Sequence, residues 1–234
     1  MARSSRVRSA LKWTAAALGL ATGAYASYVA ATWWRYGYPE RASRDDADSL
    51  LDQFMPVYEV VERHHVRVAA PASVTLAVAR EVDLQASPVV RTIIRARELL
   101  LGAMPDDRSR PGGLLNEVRS LGWGVLADVP EREVVVGAVT KPWEANVRFR
   151  ALPPGQFTAF DEPGYVKIAW TIRADPANAT ESIFRTETRA IATDAEARTR
   201  FRRYWAFLSP GIIVIRWAVV GPVKKEAERR ASST

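Results

Sequence analysis

Between Lys12 and Arg35 the chain runs 22 residues, Trp13 to Trp34 (WTAAALGLATGAYASYVAATWW), without a charge. As a helix this segment extends roughly 33 Å at about 1.5 Å per residue, close to the ~30 Å hydrocarbon core of a bilayer. Trp13, Trp33, Trp34 and Tyr36 stand where interfacial aromatics anchor a span. Eight of the 22 residues are alanine, and Leu18, Leu20 and Val29 are its large aliphatics. The expectation is one uncleaved transmembrane helix. A cleaved signal peptide, with Ala24-Tyr25-Ala26 as the processing site, is the competing reading and would export the rest after cleavage near Ala26.

Residues 1–12 carry Arg3, Arg6, Arg8 and Lys12 and no acid, which keeps the N-terminus cytoplasmic and sends the following domain across as an extracytoplasmic one. Ala15, Gly19, Gly23 and Ser27 recur every fourth residue, a spacing that lets two membrane helices approach and permits a homodimer through this segment. The expected organisation is a basic tail (1–12), a membrane anchor or signal (13–34), a polar linker (35–56) ending at Pro56, and one domain over 57–230. At about 180 residues, that domain is large enough to bury its own core.

The net charge of +7 raises the question of nucleic acid, and its distribution answers it. The tail holds +4, the stretch from Asp194 onward +5, and everything between −2. Basicity at both ends of a nearly neutral domain suits a membrane surface, and no nucleic-acid partner is expected. The chain has no cysteine, which excludes disulfides and thiolate metal sites.

Hydrophobic periodicity then sets the order of elements. Tyr58–Val68 alternates as a strand; Pro71 opens a helix to Val82, and Val89–Leu101 reads as a second helix closed by Gly102. A surface loop is expected at Pro105–Gly113. Trp123–Asp128, Glu133–Lys141, Glu144–Ala151, Tyr165–Ala174 and Glu181–Ala192 read as further strands, and Leu114–Gly122 is ambiguous. Asp194 caps a long last helix whose apolar stripe runs Phe201, Tyr204, Trp205, Leu208, Ile212, Ile215 and Val219, with a kink expected at Pro210-Gly211. Phe207–Val223 is apolar but contains Arg216, which argues for a core helix rather than a second span.

The stretches VVERHHVRVAAPASVTLAVAREVDL, LADVPEREVVVGAVTKPW, PGYVKIAWTIRADP and FRTETRAIATDAEARTRFRRYW, with the helix that follows, carry a family likeness. The chain resembles the START/birch-allergen (SRPBCC) superfamily, which includes polyketide cyclase/dehydrase-like proteins, and is similar to an uncharacterised bacterial branch of it. The resemblance implies an α+β helix-grip fold: a curved antiparallel sheet of six to seven strands around a long C-terminal helix, with a hydrophobic cavity between them. Six strands are legible here, and Leu114–Gly122 would supply a seventh.

Motifs for chemistry are sparse. His64 and His65 are the two histidines; as strand neighbours they point to opposite faces and cannot share a metal, so no metal site is expected. Glu62 and His64 share a face and form a candidate acid–base pair, against the plainer reading of ordinary polar strand residues. No phosphate-cradling loop and no nucleophile elbow occurs, and no cofactor is expected. Asp45, Asp46 and Asp48 read as a solvated charge run. Trp123, Trp143, Phe149, Trp170, Phe184 and Tyr204 are the candidate cavity lining, with plain core filling as the alternative.

The functional expectation is membrane-anchored, non-catalytic binding or handling of a hydrophobic, lipid-like small molecule. An enzyme of the cyclase/dehydrase type and a scaffold without ligand are the alternatives.

Overall fold

The computed structural model describes residues 2–83, 86–103 and 112–233; side chains of residues 2–12 and of Ala15 lie outside the description. The basic tail's side chains, and most of the loop expected at Pro105–Gly113, fall outside with them.

Valine-rich alternation becomes five strands: β1 (Val60–Val68), β2 (Gly124–Val129), β3 (Glu133–Thr140), β4 (Val166–Pro176) and β5 (Ser182–Ala192). They form one antiparallel sheet in the order β1-β5-β4-β3-β2, so the first strand pairs with the last and both hairpins lie inside that closure. Seven helices complete the described chain: α1 (Ala2–Arg35), α2 (Ser49–Phe54), α3 (Ala72–Glu81), α4 (Pro88–Leu101), α5 (Leu114–Ser120), α6 (Pro154–Ala159) and α7 (Ala195–Ala231). This is an α+β fold with the long C-terminal helix laid against an antiparallel sheet.

The strand count is five, not six or seven, and each correction has a physical cause. Leu114–Ser120 is helical: Leu114 and Val118, four apart, bury the same face, and helical spacing prevails. Glu144–Ala151 is not a strand. β3 is already flanked by β2 and β4, and β2 starts opposite Gly137, so only the end of β3 is open; Val139 bridges Arg150 there. The returning segment crosses close over Gly122, whose φ of 98° and lack of a Cβ let the carbonyl of Phe149 approach.

One sheet face, the grip face, packs on α7, α3 and α5. Val68, Val134, Val136, Trp170, Ile172 and Phe184 meet Leu76, Val118, Val219, Val220 and Val223 there. Each such side chain, fully buried, contributes roughly 1.5–3 kcal/mol. The opposite, strap face is covered by α2, α6 and the chain between them and the sheet: Leu51, Met55 and Phe157 pack on Leu126, Val135 and Val139. A third cluster joins Tyr36 to Val60, Val166, Ala190, Phe201 and Trp205.

Asp194 caps α7 by accepting from the amides of Glu196 and Ala197. α7 then runs 37 residues without a break, carrying Pro210 and Pro222 inside it. Among the described residues α7, not α1, is the helix long and apolar enough to cross a membrane by length and composition. The expected N-terminal span is thus not the segment that meets that test, because its glycines, threonines, serine, tyrosines and tryptophans hold its mean hydropathy down. α7 buries Phe201, Trp205, Val219, Val220, Val223 and Ala227 in the domain, but leaves Phe207, Val214 and Trp217 exposed.

α1 divides in two. Residues 16–24 are all exposed, and Gly19 and Gly23 face open space. From Tyr25 the helix packs along α7: Tyr25 donates to the carbonyl of Phe207, Tyr28 pairs with Ser209, and Arg202 donates twice to the carbonyl of Trp33 at its closing turn. Glu59 fastens the junction, accepting from the Tyr36 hydroxyl at 2.6 Å and the Ala192 amide at 3.1 Å while pairing with Arg198 at 2.8 Å.

Candidate functional site

The middle of the grip face is polar, and alternation puts it there. On β1, Val60, Glu62, His64, Val66 and Val68 all point toward α7, so two polar residues fall between valines. Register places Thr188 opposite Glu62 and Trp170 opposite Thr188; one pair along, Thr186 lies opposite His64. From α7, Arg216 sets its guanidinium 4.6 Å over the Trp170 ring. Trp217 sends its ring edgewise against His64, centroids 5.2 Å apart.

These groups are short of partners. The Trp170 indole donates to Thr186 at 2.6 Å, which satisfies that pair. His64 Nε2 and Thr188 Oγ1 are buried and have no hydrogen bond. His64 Nε2 stands 3.8 Å from Glu62 Oε2, too far for one. Arg216, among the described residues, makes no hydrogen bond or ion pair; its contacts are the Trp170 face and the longer-range field of Glu62. Burial raises the Glu62 carboxyl above the ordinary range against the opposing pull of Arg216. It lowers His64, helped by the charge of Arg216, and brings Arg216 down to about 10 against the opposing pull of Glu62.

Glu62 also forms the wall of a groove of about 560 Å³ along the free edge of β1. Tyr28 and Thr32 of α1, Tyr36 just past it, Val60 of β1, and Trp205 and Ile213 of α7 line it, together with charged residues that include Arg35, Glu40, Arg41, Asp46, Glu59 and Arg63. Its volume falls within the ~300–1,000 Å³ of ordinary small-molecule sites.

The strap face is also charged, but every charge there is answered. Arg63 grips Glu187 with two nitrogens at 3.0 and 3.1 Å. Arg189, 2% exposed, donates to Glu187 at 2.6 Å, Asp52 at 2.5 Å and the carbonyl of Met55 at 2.8 Å. Arg185 bridges Asp46 and Asp175, and Arg173 holds Asp175 and the carbonyl of Ala47. Asp46 and Asp48 are therefore not a solvated run: Asp46 pairs with Arg185, and Asp48, 2% exposed, caps α2 through the Leu51 amide. Burial and a hydrogen bond with Asp48 push the Glu133 carboxyl well up. The void beneath the strap measures about 20 Å³, room for a single water.

The six aromatics read as cavity lining do not surround one space. Trp170 and Phe184 stand in the main core, Trp123 and Phe149 pair with each other at 4.9 Å, and Trp143 and Tyr204 border the third cluster, where Arg97 donates to Tyr204. None of them lines the groove. Glu62 and His64 are brought together as expected from their shared face. Arg216 and Thr188 were missed as site residues. Their signals were present: Arg216 lies four residues after Ile212 and three before Val219 on the apolar stripe, and Thr188 alternates inward with Phe184 and Ala190.

The sequence matches no known family model and no curated protein. Among solved structures, the chain is similar to norcoclaurine synthase of Thalictrum flavum (13% identity, TM-score 0.37, covering 73% of this chain and 94% of that one). It is also similar to an aromatase/cyclase of Streptomyces (14%, TM-score 0.26, 73% and 94%) and a hypothetical protein of Helicobacter pylori (6%, TM-score 0.40, 80% and 99%). Likeness this distant carries no argument about chemistry, which is left to the side chains themselves.

Proposed function

We propose that this chain is a membrane-attached binding protein that holds a hydrophobic small molecule without transforming it. The observation that carries the reading is the groove of about 560 Å³ that begins at the last turns of α1 and ends at Glu62, beside buried polar atoms with no partner. Natural cores rarely leave such groups unmet, because each costs roughly 1–3 kcal/mol. An occupant supplies what the protein lacks. Membrane attachment through residues 13–34, with the N-terminus cytoplasmic and the domain outside, is supported by the uncharged segment and the exposed surface of 16–24. The exposed Phe207, Val214 and Trp217 of α7 add apolar surface on the helix that α1 packs against.

Native mass spectrometry of the full chain released from detergent micelles tests this. A retained small molecule, or uptake of one from a mixed lipid extract, is expected. A bare chain under both conditions overturns the reading in favour of a scaffold without ligand.

A second reading is favoured by one specific observation: Glu62 and His64 stand 3.8 Å apart with their proton affinities pushed in opposite directions by burial. Groups whose environments push their proton affinities apart can serve proton transfer, and an enzyme of the cyclase/dehydrase kind is the alternative. Under that reading Glu62→Gln abolishes turnover while ligand binding persists.

A further inference from the structure

The grip face offers a half-buried cation that no anion pairs with among the described residues. Arg216 stacks on Trp170 and has no ion pair, while the strap-face arginines Arg63, Arg173, Arg185 and Arg189 each hold a carboxylate. A guanidinium partly withdrawn from water without an anion carries a cost that a paired anion would offset. The neighbouring unmet atoms are of a compatible kind. Thr188 Oγ1 can donate, and neutral His64 can carry its proton on Nε2 and donate as well. Cross-strand register sets Thr188 between Glu62 and Trp170, Arg216 stacks on that Trp170, His64 Nε2 stands 3.8 Å from Glu62, and Glu62 itself lines the groove.

We propose that the ligand is an amphiphilic carboxylic acid, its carboxylate seated on Arg216, Thr188 and His64 and its apolar body lying out along the groove past Ile213 and Trp205. This rests on the ligand-binding reading above and names its ligand class. A carboxylate has two oxygens and a single charge; one guanidinium with two single donors matches it. A phosphate dianion would bring a second negative charge beside Glu62, where a monoanion brings one. Burial raises the Glu62 carboxyl above its ordinary range, which eases the approach of a monoanion beside it.

The test compares dodecanoate, dodecanol and inorganic phosphate for binding to the full chain in lipid nanodiscs, corrected against empty nanodiscs. Dodecanoate should bind roughly 10- to 100-fold tighter than dodecanol, the range given by one charge-assisted contact to a desolvated cation. In Arg216→Gln that preference should collapse to within about three-fold, with dodecanol unchanged. Should that variant fail to fold, the acid-to-alcohol ratio in the unaltered chain still decides the matter. Equal affinity for acid and alcohol overturns the carboxylate and leaves the hydrophobic-ligand reading standing. Failure of both to bind overturns that reading itself. Phosphate binding tighter than dodecanoate makes the site a phosphate one and refutes the proposal.

Discussion

Both faces of the sheet carry polar residues and treat them in opposite ways. Beneath the strap, Arg63, Arg173, Arg185 and Arg189 are knitted to Asp46, Asp52, Asp175 and Glu187, and the space left between them holds about one water. Beneath α7, Arg216, His64 and Thr188 have no such partners among the described residues, and the neighbouring Glu62 lines a groove of about 560 Å³. Burial alone therefore does not mark a functional residue. A buried charge that is answered fixes one conformation of the strap; one that is unanswered is held ready for something else.

The largest expected effect tests the closed face. Arg189→Ala removes one of two arginines from Glu187 and, among the described residues, the side-chain donor to the Asp52 carboxylate and the Met55 carbonyl, and should lower unfolding free energy by ~3 kcal/mol, because Arg63 still answers Glu187. Denaturant unfolding in detergent measures it; a change below ~1 kcal/mol would show that the strap is not held by this network. Next in size is Thr171→Val, whose hydroxyl donates to the buried Glu133 at 2.7 Å. Its loss should cost ~1–3 kcal/mol.

Titration should sharpen the contrast further. His64 faces Glu62, Arg216 and Trp217, with His65 beyond, and its pKa is depressed from 6.5 mainly by burial. A depressed folded-state pKa means that the unfolded chain takes up the proton first. Stability is thus intact above 6.5 and falls as the pH drops through and below that value. The stability difference between the unaltered chain and His64→Gln, followed by thermal melting from pH 8 to 5, should shift against the unaltered chain on the acid side. Glu133 works with the opposite sign. Its raised pKa gives stability that is present at and below its ordinary 4.5 and is lost as the pH rises through the elevated value, so Glu133→Gln should gain relative to the unaltered chain toward alkaline pH.

Much of the fold was legible because it is written locally. Alternation put Trp170 toward the last helix with Val166, Ile168 and Ile172, Asp194 announced the cap of α7, and Gly102 closed α4 in the left-handed conformation at φ 69°. The fourth strand expected at Glu144–Ala151 failed for a non-local reason, since both neighbours of β3 were already taken by β2 and β4. The stretch 35–56 read as a linker for the same reason: Asp46 and Asp52 look solvated until their arginines arrive from 139 and 137 residues away. At the site, Glu62 and His64 followed from strand period. Arg216 was weighed as an obstacle to membrane insertion, and its place on the apolar stripe, where a charge needs a reason, went unused. The aromatics misled because ring size signals burial, not an unfilled space.

The most direct measurement concerns Thr188, the smallest change with the sharpest consequence. Thr188→Val replaces an unmet hydroxyl with a methyl of nearly the same shape, and removing a buried group that has no partner should leave stability unchanged or raise it by up to ~1 kcal/mol. Unfolding and dodecanoate affinity are to be measured on the same preparation. The account predicts stability held or gained while dodecanoate binding weakens. A Thr188→Val chain that loses stability as Thr171→Val does, with dodecanoate binding intact, would contradict it, because the grip face would then be a closed interior like the strap face.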